Sequence, residues 1–110
     1  MSEKQLDLSS APHELAALIT VQPGAVVSRT LVNKPAGTVT LFAFDAGEGL
    51  SEHTAPYDAL VHVIEGEADV RIATSAHAVA AGHMLLLPAN VPHALHARVP
   101  FKMLLTMIRV

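Results

Sequence analysis

The chain has 110 residues, enough for one domain with no room for a second. Its formal net charge of −3, with no cluster of lysine or arginine, excludes the basic stripe that nucleic acid requires and the polybasic patch of an electrostatic membrane anchor. The absence of cysteine excludes disulfides, thiolate metal sites and thiol nucleophiles.

Residues 1–9 are polar and read as an arm, loose or ordered against a partner subunit. They hold no apolar signal core, and no apolar run reaches the ~20 residues that span a bilayer, so a soluble cytoplasmic protein is the expectation. Ser10 as a cap, Pro12 in the first turn and Leu15, Leu18 and Ile19 at helical spacing predict one short helix within residues 10–20, its body near 12–18. Gln22-Pro23-Gly24 ends it.

From residue 25 onward the texture is that of short β-branched runs between turn residues. Val26–Val32 reads as a strand, Asn33–Gly37 as a turn and Thr38–Phe44 as the clearest strand of all. Gly47-Glu48-Gly49 breaks the pattern. Ala59–Ile64 and Ala68–Ala73 form a hairpin around Glu65-Gly66-Glu67. Ala76–Val79 and Met84–Leu87 follow, the second stopped by Pro88. His93–Ala97 and a long closing strand, Phe101–Arg109, complete the set. Strands this short and evenly spaced predict an all-β antiparallel barrel or sandwich over residues 25–110.

Hydrophobic residues make up 51% of the chain, yet there is no Trp, one Tyr and three Phe, so the core must be aliphatic. Only 15% of residues are charged. So much apolar surface on so small a domain predicts a homodimer that covers part of it.

Seven histidines carry the chemical information. Imidazole is the commonest metal ligand and titrates near neutral pH. His53 follows the Gly47–Gly49 turn and His93 follows Pro88 and Pro92, the positions of loops at a barrel mouth. Gly47, His53 and Gly66 are spaced as G-x5-H and a closing glycine. Gly82, Pro88 and His93 repeat the device, with Asn90 where a glycine would stand; Asn tolerates left-handed backbone better than most residues. These two stretches resemble the paired motifs of the cupin superfamily, G-x5-H-x-H-x(3,4)-E-x6-G and G-x5-P-x-G-x2-H-x3-N, and together cover residues 47–97.

The resemblance implies a jelly-roll barrel. It also implies a site at which three histidines and a glutamate hold iron, manganese, zinc, nickel or copper for dioxygenase, isomerase or decarboxylase chemistry. Only His53 and His93 carry over from that set. Ala55 stands at the second histidine position, Ala59 at the glutamate and Ala97 at the terminal asparagine. Catalytic metal sites generally use three protein ligands, so a third donor is needed. If residue 59 points inward, strand alternation turns His62 outward unless a bulge intervenes. Asp58 and Glu52 are loop carboxylates able to swing inward, or else solvated charges. Tyr57, Ala55 and Ala59 are the expected lining of a small-molecule pocket. His77 and His83 read as surface residues, His96 faces the side opposite His93, His13 sits in the predicted helix near no obvious partner, and Arg71 and Lys102 read as solvent-facing strand cations. Two readings stay open: a divalent-metal centre acting on a small molecule, and a metal-free ligand-binding or sensing barrel.

Overall fold

The computed structural model describes residues 7–109. Nine strands run in chain order: β1 (Val26–Lys34), β2 (Gly37–Phe44), β3 (Gly49–His53), β4 (Asp58–Glu65), β5 (Glu67–Ile72), β6 (Ser75–Ala80), β7 (Met84–Leu87), β8 (His93–His96) and β9 (Phe101–Ile108). They form two antiparallel sheets, one ordered β1-β2-β9-β4-β7 and the other β3-β8-β5-β6. The β4, β5 and β7 boundaries lie within a residue of the sequence reading, but the expected β4–β5 hairpin is corrected: β4 pairs with β7 and β9 in one sheet and β5 with β6 and β8 in the other, so Glu65-Gly66-Glu67 carries the chain between the sheets. Among the described residues no helix is long and apolar enough to cross a membrane.

Alternation decides what faces inward. Along β4, Ala59, Val61 and Val63 are buried while Asp58 and His62 are exposed. Both sheets contribute to one aliphatic core that includes Val61, Val63, Val70, Leu87, Leu95 and Met103. Its aromatic element is small. Phe44 and Phe101 face each other across β2 and β9 and stack at 4.4 Å with 12° between their planes.

The predicted helix contracts to a single 3-10 turn, Leu15–Leu18, with Glu14 before it and no side-chain cap. Ser10, expected as the cap, instead donates its hydroxyl to the Asp7 carbonyl. Two pressures explain the correction. Pro12 disfavours helical backbone at the residue before it, and an isolated helix this short is marginal without a packed face. The segment gains more as an extended strap, with Ile19 already in the β region. Leu18, Ile19 and Val21 cover Leu41 and Ala43 on the outer face of the five-stranded sheet, making a second apolar cluster. Lys102 Nζ donates to the Ala16 carbonyl at 2.7 Å and Arg29 to the Leu18 carbonyl at 3.0 Å, fastening the strap. Of the arm at 1–9, residues 1–6 lie outside the described part; Asp7 and Ser9 form a local turn.

The strand absent from the sequence reading is β3. Its residues are exposed apart from half-buried Leu50, so no apolar alternation marks it. Among the described residues it is an edge strand, paired with β8.

Candidate functional site

The two histidines meet through β3. Leu50 pairs with Leu95 and His53 with His93, so two residues, Ser51 and Glu52, stand opposite the single Ala94. Without this bulge, alternation would put Glu52 opposite His93 and turn His53 to the outer face. With it, His53 and His93 are direct cross-strand neighbours on the inner side. His93 is buried, at 6% exposure, and His53 lies open at the mouth.

Each ring is held the same way. His53 Nδ1 lies 2.8 Å from the Ser51 carbonyl and His93 Nδ1 lies 3.2 Å from the Val91 carbonyl, two residues upstream in both cases. A carbonyl oxygen only accepts, so both Nδ1 atoms carry hydrogen and donate. That leaves both neutral rings with a lone pair on Nε2, and the two Nε2 atoms are 3.0 Å apart. The rings meet edge to face, 4.3 Å between centroids and 72° between planes. Two lone pairs facing each other at this distance repel unless a proton or a cation lies between them. A shared proton would make one ring cationic. Burial holds the His93 pKa below its ordinary value of 6.5, and the neighbouring His53 lowers it further, against a smaller opposing effect of the Val91 carbonyl. His93 is therefore biased toward the neutral, lone-pair form.

The loops around the pair are laced together. Asp58 Oδ1 accepts from the Ala89 amide at 2.8 Å, and the Asn90 amide donates to the Ala55 carbonyl at 2.7 Å. Asn90 holds φ at +63°, the left-handed backbone expected of a glycine substitute. Nearby, Ala73 donates to the Pro92 carbonyl just ahead of His93.

The proposed extra ligands fare otherwise. Asp58 is committed to the Ala89 amide. His62 is exposed on the outer face of the five-stranded sheet, level with Met84 and Leu104 across its neighbouring strands, because β4 alternates normally at that point. Glu52 is turned outward by the bulge. Among the described residues, no group of three or more His, Asp or Glu side chains could hold a metal.

The three residues expected to line a pocket stand in different surroundings. Ala59 is 6% exposed and belongs to the packed core, while Ala55 and Tyr57 are half-buried on the loop. The core cluster to which Ala59 belongs includes Val61, Leu87, Phe101 and Met103. Two cavities lie elsewhere: one of about 640 Å³ on the outer face of the four-stranded sheet, and one of about 240 Å³ beside Met84. Neither is lined by Tyr57, Ala55 or Ala59. The residues that sequence reasoning missed at the histidine pair are Ser51 and Val91, which act through backbone carbonyls and leave no side-chain signal.

Two facing antiparallel sheets with this strand order, and a histidine pair on adjacent strands at one mouth, define a jelly-roll barrel of the cupin type. The chain belongs to the cupin family: residues 40–108 match the family described as the cupin domain. A conserved protein of unknown function from Streptococcus pyogenes is 31% identical, with a TM-score of 0.91 over 100% of this chain and 96% of that one. A cupin 2 conserved barrel domain protein from Leptotrichia buccalis is 40% identical, with a TM-score of 0.83 over 86% of this chain and 46% of that one. A cupin superfamily protein from Desulfitobacterium hafniense is 28% identical, with a TM-score of 0.90 over the whole of both chains. No curated protein sequence matches the chain.

Proposed function

We propose that the protein binds a divalent transition-metal ion through His53 and His93 and leaves the remaining coordination positions to water and a small-molecule ligand. The observation that carries this reading is the convergence of two Nε2 lone pairs 3.0 Å apart, each ring locked by an Nδ1–H donated to a backbone carbonyl. Metal-ligating histidines characteristically make such an outer hydrogen bond. The spacing also suits one ion: metal–nitrogen bonds of about 2.0–2.1 Å at angles of about 90–110° put the two nitrogens about 2.9–3.4 Å apart. The donor set is half of what the family resemblance implies, so the ion would be held weakly and stay open to exogenous ligands.

When bound, the ion would supply Lewis acidity to a chelating substrate of the dioxygenase or isomerase type. The chain's own contribution is orientation. The Ser51 and Val91 carbonyls hold both rings through Nδ1, and burial lowers the His93 pKa and so favours its neutral form.

Ala59 and Ala55 favour a second reading, a metal-free ligand-binding or sensing barrel, because methyl groups stand where donors would be. Metal analysis of untagged protein prepared without chelators separates the two. Loading with zinc, cobalt or iron should give about one equivalent, falling at least about tenfold in His53→Ala and His93→Ala. Less than about a tenth of an equivalent in the unaltered protein would overturn the metal reading.

A homodimer is proposed with it, through the outer face of the five-stranded sheet. Met84, Leu86 and Ile108 are 61%, 46% and 44% exposed there. The face holds both a projecting Met84 and, beside it, the 240 Å³ hollow floored by Leu60, Leu104 and Thr106. Knob and hollow on one patch suit a two-fold, self-complementary contact. Light scattering should give a dimer that Met84→Glu converts to monomer; a monomeric unaltered protein at micromolar concentration would refute it.

A further inference from the structure

We propose that the outer face of the four-stranded sheet is a second binding site, for a small zwitterion that carries a carboxylate and an ammonium group at its two ends. Its cavity of about 640 Å³ falls within the roughly 300–1,000 Å³ of small-ligand sites. It is independent of the histidine pair, lying on the reverse side of the same strands.

The register shows why an outer sheet face has room for a ligand. Arg71 on β5 stands between Ala94 on β8 and Ala76 on β6. Asp69 stands between His96 on β8 and Ala78 on β6. The bulge that turns His53 inward turns Glu52 to this outer side, beside Ala94. Three alanine methyls thus form the floor, and Arg71, Asp69, Glu52 and His96 stand around it.

The charges are unspent. Among the described residues, the ion pairs Arg98–Glu67 and Lys102–Glu65 involve none of these groups, and the side chains of Arg71, Asp69 and Glu52 make no hydrogen bond. Arg71 offers the forked donor geometry that matches a carboxylate. Asp69 lies two residues from it along one strand, about 6.6 Å, and Glu52 two strands across, about 9.6 Å. A carboxylate seated on Arg71 therefore leaves an attached ammonium group within reach of either acid. A simple anion would meet two carboxylates, and a simple amine would meet the guanidinium. The zwitterion alone meets opposite charge at both ends.

Three probes test this by NMR titration: 6-aminohexanoate, hexanoate and hexylamine. The zwitterion should bind at least about fivefold more tightly than either single-charge analogue, as expected for an added partly exposed ion pair. Amide shifts should centre on residues 69–71, 76–78 and 94–96. Arg71→Gln should abolish its advantage over hexylamine, and Asp69→Asn should reduce it toward hexanoate. Equal affinity for the three probes, no binding below about 10 mM, or shifts centred on His53 and His93 would each overturn the proposal. The three-probe comparison on the unaltered protein decides this even if a variant misfolds.

Discussion

Replacing Gly66 with alanine tests how tightly the turn that carries the chain from β4 in one sheet to β5 in the other is seated. Gly66 holds φ at +77°, and an added Cβ would overlap the Pro100 carbonyl oxygen and stand 3.0 Å from both Cα and Cβ of Phe101. The left-handed backbone alone costs alanine about 1–2 kcal/mol. The overlap is with backbone, which yields only if Phe101 moves. Phe101 is 1% exposed and stacks on Phe44 at 4.4 Å, so movement costs about 0.5–1.5 kcal/mol of aromatic contact and about 1–3 kcal/mol of packing strain. The total is about 2.5–6.5 kcal/mol, a fall in Tm of about 10–26 °C for a domain of this size. Gly24→Ala is the internal control, since φ there is +64° but nothing lies within 4 Å. It should cost only the conformational part, about 1–2 kcal/mol. Urea unfolding of both variants gives the comparison. If the two differ by less than about 1 kcal/mol, the steric part of the reasoning is wrong.

Two further outcomes follow from the packing and electrostatics. The lowered pKa of His93 means that the folded protein binds its proton less readily than the unfolded chain. The contribution is full above the ordinary value of 6.5 and is lost as pH falls through the lowered value. The stability margin of wild type over His93→Gln should therefore shrink on acidification through that window; a margin that grows toward acid would contradict the assignment. Lys102→Met keeps the apolar stem but removes the donor to Ala16 and the 3.6 Å approach to Glu65. Amide exchange in residues 15–21 should quicken about tenfold, for a loss of about 1.4 kcal/mol, with the strands unaffected. Unchanged exchange there would mean that Leu18 and Ile19 alone hold the strap.

The barrel was legible because its signals are local. Turn residues punctuate the strands, alternation along Asp58–Glu65 assigns its faces, and Asn90 stands in for a glycine at positive φ. The N-terminal helix was misread because Leu15, Leu18 and Ile19 satisfy helical spacing equally well as an extended strap; the outer sheet face that decides between them is formed by residues far along the chain. At the candidate site, His53 and His93 stand out by residue type and spacing. What brings them into register is a bulge in an exposed edge strand, which has no compositional mark. The Ser51 and Val91 carbonyls that set the tautomers are invisible for the same reason: every residue carries one. The alanine-floored cavity escaped because its walls come from four strands, adjacent only after β8 is inserted between β3 and β5.

The central strand of the larger sheet is the one that comes last in sequence. β9 lies between β2 and β4, with the strap's anchor Lys102 and the stacking partner Phe101 both upon it. Until Phe101–Ile108 is available, β2 and β4 each present an open edge flanked by apolar side chains, the arrangement most prone to pair with another chain. Closure of the barrel is therefore a long-range event, since β9 joins strands that lie far earlier in the chain. Such topologies fold on the slow side of the small-domain range, about milliseconds to seconds. The same two edges that β9 covers in the folded barrel are thus the ones open to mispairing before it docks.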